Sequence, residues 1–151
     1  MIKTIFDPVV RAELISRIES LCNKHQAQWG KMSVYQMTKH CTLYDEWYLG
    51  LKQPVYKHAF IGRIVGKMVL KNQTKNDQPL PKNMGTLDRL LVTESDGDLE
   101  LQKQKWIELI NSYENYANPY FIHDFFGKMT EEQIGILNYK HADHHLRQFN
   151  V

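Results

Sequence analysis

The stretch from Thr130 to Phe149, "TEEQIGILNYKHADHHLRQF", constrains the fold more than any other part of the chain. Thr130 and Gln133 form a capping-box pattern, which satisfies two orphan N–H groups at a helix start. No proline interrupts the run from there to Phe149. Ile134, Leu137, His141, His145 and Gln148 recur at helical spacing, so they share one side of a long helix. His141 and His145 therefore point toward a core or its edge, with His144 turned off that stripe toward the surface or a supporting position. Such a helix has to bury its apolar side against partners.

The rest of the chain supplies helical partners. Asp7 and Pro8 open "VVRAELISRIESL", with Val10, Leu14, Ile18 and Leu21 in one stripe. Ser33 and Gln36 form a second capping box before "VYQMTKHCTLYDEWYLGL", where Met37, His40, Tyr44 and Trp47 share a face. Gly50 is the expected stop, and Pro54 forbids continuation. "AFIGRIVGKMVLK" reads as a third, minor helix weakened by Gly62 and Gly66. Residues 72–97 carry no sustained period and read as an ordered crossover. Asp98 introduces another helix, with Leu99, Leu101, Trp106, Leu109, Ile110 and Tyr113 as candidate core. "NPYFIHDFFGKM" is a loop too aromatic to be solvated and is expected to fold back over one end, placing His123 and Asp124 near a site mouth. Trp29, Trp47 and Trp106 are expected to pack the interior.

The expectation is one all-α domain over residues 1–151: a four-helix bundle with a long crossover between the second and third main helices. A net charge of +2, with the basic residues spread along the chain, gives no footprint for nucleic acid. No apolar run is long enough for a membrane helix, and "MIKTIFDPVV" is not a signal peptide. Cys22 and Cys41 lack CxxC spacing and read as buried free thiols, which suits the cytoplasm.

Two imidazoles four residues apart on a helix have the geometry that chelates one metal ion. His40, on the inward stripe of the second helix, is the natural third ligand. Each feature also has a plainer explanation: histidines on apolar faces are commonly hydrogen-bonded core residues, and "HADHH" could be a solvated helix end. Ala142 stands where a zinc protease would carry its glutamate, which excludes that chemistry.

An inward histidine on one helix, a long crossover and a last helix ending in "HADHHLRQF" resemble the DinB/YfiT-like superfamily of metal-binding four-helix bundles. "FDPVVRAELISRI", "AQWGKMSVYQMTKHC", "PLPKN" and "FFGKMTEEQIGILNYKHADHHLRQFNV" look like a bacterial branch carried as a domain of unknown function. The resemblance implies a metal held by His40, His141 and His145, with His144 as a neighbouring non-ligand. It also implies small-molecule chemistry, since the superfamily contains thiol S-transferases, a thiol-dependent isomerase and members described as metal-dependent hydrolases. "KNMGTLDRLLVTESDGDLE" departs from the pattern, so nothing about the substrate side carries over.

Three neutral imidazoles would suit zinc or nickel and leave a position open for water or a thiolate. Tyr44 could reach a metal-bound group or be a core tyrosine. Gln148 could orient a ligand histidine through its second nitrogen or be an ordinary helix-end amide. Asp143 reads as a solvated charge or a partner of Arg147. The rival functions are a non-enzymatic metal- or ligand-binding protein and an interaction module whose outer face dimerises; a homodimer is compatible with every reading.

Overall fold

The computed structural model describes residues 2–52, 56 and 59–151. The chain is predominantly helical, and each helix begins where the sequence provides a cap, α3 excepted. Helix α1 (Pro8–Ser20) starts behind Asp7, whose carboxylate accepts from the Val9 N–H. Helix α2 (Val34–Tyr48) and helix α5 (Glu131–Gln148) both open with complete capping boxes, Ser33 with Gln36 and Thr130 with Gln133. Asp98 caps helix α4 (Leu99–Ser112) through the Leu101 N–H. Gly50, at φ +76°, carries the chain away from α2 in a left-handed turn that other residues rarely adopt. Pro54 lies outside the described residues.

Helix α3 (Phe60–Thr74) is a full-length helix rather than the minor piece expected, and Ala59 at its start makes no side-chain cap bond. Its glycines do not break it. Both permit a close approach: a Cβ on Gly62 or Gly66 would stand 2.3 Å from the Phe125 carbonyl oxygen. The sequence registers glycine as a helix cost, whereas here the missing side chain is what lets the 118–129 loop lie against α3. That loop contains a small antiparallel hairpin, β1 (Ile122–His123) with β2 (Gly127–Lys128), pairing Ile122 with Lys128 and His123 with Gly127. Two-residue strands are too short to show alternation in a sequence.

Helix α2 is the most enclosed element. It packs along α4 and also meets α5, while α1 touches both α4 and α5. The expected stripes are buried: Leu14, Ile18 and Met37 are inaccessible, as are Trp106 and Ile110. Each such side chain contributes about 1.5–3 kcal/mol through lost apolar surface. Leu101 is the exception at 64% exposed. It lies two positions beyond the buried Leu99, and a turn of about 200° puts it on the opposite side of α4. Cys41 is buried, but Cys22 is exposed, because α1 stops at Ser20 and Cys22 opens the next loop. Both thiols are free.

The crossover is ordered. It pins Leu80 and Leu90 into the core and forms one 3-10 turn over Asp88–Leu90. Its start is tied to α5 by Lys140, whose ammonium donates to the carbonyls of Gln73 and Gln78. Among the described residues no helix is long and apolar enough to cross a membrane.

Candidate metal centre

His40 comes from the inward face of α2; His141 and His145 come from adjacent turns of α5 where it passes α2. The structure brings all three together, with one nitrogen of each within 4.8 Å of the others. His40 Nε2 and His141 Nε2 are 3.1 Å apart. Nitrogens bound to a tetrahedral zinc ion at its usual bond length lie roughly 3.4 Å apart. The donor set therefore fits a divalent ion, with small rotations closing the third edge.

The outer nitrogens fix how these rings present themselves. The Leu90 carbonyl, 2.9 Å from His40 Nδ1, can only accept, so Nδ1 carries the proton and the Nε2 lone pair faces the cluster. On α5 the Gln148 amide does the same for His145. Its Nε2 donates to the Trp29 carbonyl at 2.7 Å, which turns Oε1 toward His145 Nδ1 at 2.9 Å. Such outer partners set the tautomer and the aim of ligand histidines. Gly30 makes the Gln148 contact possible, since any Cβ there would stand 2.8 Å from the amide nitrogen.

Burial keeps the rings neutral. Loss of water holds His141 well below its usual pKa, lowers His145 to about 3 and lowers His40, with the neighbouring rings adding to the effect on each. Neutral imidazoles offer lone pairs without competition from protons at physiological pH.

Tyr44 lies flat on His141, ring centres 3.6 Å apart and planes 7° from parallel. It is buried, 5% exposed, and loss of water keeps its hydroxyl protonated. It is thus both a core tyrosine and a platform for one ring of the cluster. His144, which helical rotation turns off the stripe toward the surface or a supporting position, is only 8% exposed. The 22–33 loop covers it: Trp29 meets its ring edge-on at 5.4 Å. Asp143 is paired mainly with Arg17, at 2.8 Å, and only loosely with Arg147, at 3.8 Å.

The three histidines lie at the wall of a cavity of about 880 Å³. Its other walls come from the 29–32 loop, the crossover around Leu87–Val92, Val69 and Gln73 of α3, and Phe125 and Phe126 of the hairpin loop. Trp29 lines this cavity, while Trp47 and Trp106 are core residues. His123 also reaches the cavity wall, whereas Asp124 is engaged by Arg89 at 2.6 Å. The apolar loops that complete the cavity gave no sequence signal beyond their density of aromatic and aliphatic residues.

The structure is thus a predominantly helical chain whose inward three-histidine cluster, at the wall of a largely apolar cavity, could hold a metal ion. The chain belongs to the family described as "Protein of unknown function (DUF1569)", whose model matches residues 10–151. No curated protein and no solved structure matches the chain significantly.

Proposed function

We propose that the protein is a cytoplasmic metal-dependent enzyme of the DinB/YfiT type, its α1, α2, α4 and α5 forming that superfamily's four-helix bundle. In this reading one zinc or nickel ion is held by His40, His141 and His145, and the substrate is a small molecule bound in the adjoining cavity. The observation that carries the proposal is the convergence of three neutral imidazoles, two of them aimed by Leu90 and Gln148, at the wall of one cavity.

When bound, the ion would supply Lewis acidity and lower the pKa of a water or thiol at its open position. Three neutral ligands would leave its double charge uncompensated, and no Asp or Glu stands among the described cavity-lining residues. That surplus charge would favour a reacting group that becomes anionic, which is compatible with either hydrolysis or thiol transfer. The chain's own residues do the positioning. Leu90 and Gln148 hold two ligand rings, Tyr44 supports the third, and the aliphatic and aromatic walls exclude water from the reacting group.

The test is elemental analysis of untagged protein beside a His40→Ala/His141→Ala double variant. About one zinc or nickel per chain, lost in a variant that keeps its helical circular dichroism, is the expected result. A wild type that stays metal-free after incubation with both ions would overturn the reading.

A further inference from the structure

His123 is a fourth cavity histidine of a different kind. It lies in β1, 5% exposed, with its ring stacked on Phe126 at 4.4 Å and tilted against Trp47 at 4.9 Å. Its Nδ1 accepts two backbone N–H groups from the tight turn after it, Phe125 at 3.0 Å and Phe126 at 3.1 Å. An imidazole nitrogen that accepts in this way carries no proton, so in the neutral ring the proton is on Nε2. Nε2 has no hydrogen-bond partner among the described residues, and the ring stands in the cavity wall. Desolvation and the nearby Arg89 guanidinium lower the His123 pKa to about 3, so the ring stays neutral across the physiological range. Its tautomer is thus set by the backbone, and it offers a donor where a metal ligand would offer a lone pair.

The rest of the wall limits what can approach that donor. Val69, Leu87, Leu90, Phe125, Phe126 and Leu137 present apolar surface. Lys31 is the one lysine or arginine among the described lining residues, and no carboxylate stands there to balance a cationic ligand. A buried donor facing such a cavity discriminates strongly, because a ligand without an acceptor leaves it unpaired.

We infer that His123 is the specificity-determining hydrogen-bond donor of this cavity, selecting an apolar ligand that carries a carboxylate or carbonyl oxygen and rejecting cations. The inference rests on the cavity being the substrate site, as proposed above, but His123 itself needs no metal. It differs in role from His40, His141 and His145, and a chelator should leave its contribution intact.

The probe is benzoate, with benzylamine as its cationic counterpart, titrated calorimetrically into both cobalt-loaded and chelator-treated protein. His123→Asn keeps an acceptor at the Nδ1 position for the turn while removing the donor at Nε2. Benzoate is expected to bind the wild type in both forms and the His123→Asn variant about tenfold or more weakly. Benzylamine is expected not to bind. The cobalt spectrum should be the same in variant and wild type. Equal benzoate affinity in the variant, comparable benzylamine binding, or no benzoate binding to either form of the wild type would overturn the inference. Two-bond proton–nitrogen correlation spectra of the wild type give an independent check should the variant fold poorly. They should show His123 protonated at Nε2 with that proton shifting on benzoate addition; an Nδ1 proton would refute the assignment. Failure to load cobalt, with benzoate binding still dependent on His123, would sink the metal-enzyme reading alone.

Discussion

Asp45 allows the sharpest test of the interior. It lies in α2, 4% exposed, and accepts from Trp106 Nε1 at 2.9 Å. Its other oxygen lies 2.8 Å from the Tyr113 hydroxyl, which in turn is 2.6 Å from Asn138 Oδ1. Asn138 Nδ2 donates to the Ile134 carbonyl, so that amide cannot flip to offer a proton. The hydroxyl has one proton for two acceptors. With Asp45 ionised, one contact is left without a proton; with Asp45 protonated, a complete chain runs from carboxyl to hydroxyl to amide. Desolvation pushes in the same direction and raises the Asp45 pKa from 3.8 to about 7, against the opposing Tyr113 and Trp106 hydrogen bonds. At about 1.4 kcal/mol for each tenfold change in proton affinity, ionising Asp45 in the folded chain costs on the order of 4 kcal/mol.

The sign comes from proton counting. Between about pH 4 and pH 7 the folded state holds a proton that the unfolded state has released, so stability falls as pH rises through that window and is level above it. The buried histidines act oppositely. Their lowered pKa values make the folded state stable above the usual histidine pKa and progressively less so below it. Comparing wild type with Asp45→Asn cancels the histidine contribution. The asparagine amide can donate to Tyr113 while its oxygen still accepts from Trp106. Urea unfolding of both metal-free proteins is expected to show Asp45→Asn more stable at pH 8, by several kcal/mol. At pH 5 the gap should shrink to less than half. A gap that does not change with pH, or a variant weaker at pH 8, would refute the proton-counting argument.

Gln148→Leu should lower metal affinity about 10–100-fold while leaving helical content unchanged, measured by competition with a chromophoric chelator. Unchanged affinity would mean that the His145 tautomer needs no help from the amide. Gly66→Ala should destabilise by about 1–3 kcal/mol in urea unfolding, because the new methyl meets the Phe125 carbonyl backbone. In a free helix the same change would stabilise by about 1 kcal/mol, so the direction of the effect decides whether the loop is packed against α3.

Much of the scaffold was legible because caps and periodicity are local. Ser33, Gln36, Thr130 and Gln133 announced two helix starts, and the Val10–Leu21 stripe announced a buried face. The inward direction of His40, His141 and His145 was legible for the same reason, since rotation along a helix is fixed. What a neighbouring element covers is not local. Rotation turns His144 off the inward stripe, and only the Trp29 loop over it accounts for its burial; the aromatic loop placed His123 near a site mouth but could not show which of its nitrogens the following turn engages. Gly62 and Gly66 show the same limit in the backbone: a sequence records the missing side chain but not the carbonyl that fills its place.

The tie between the crossover and the cluster has an evolutionary consequence. His40 is held by the backbone carbonyl of residue 90, not by a side chain. Substitutions along the 80–92 wall can therefore accumulate without disturbing the aim of His40, provided the main chain keeps its path. The three histidines reside on α2 and α5, whereas much of the cavity wall beside them resides on loops free to drift. Within such a lineage, the histidine cluster can be inherited unchanged while the shape and lining of the cavity beside it diverge.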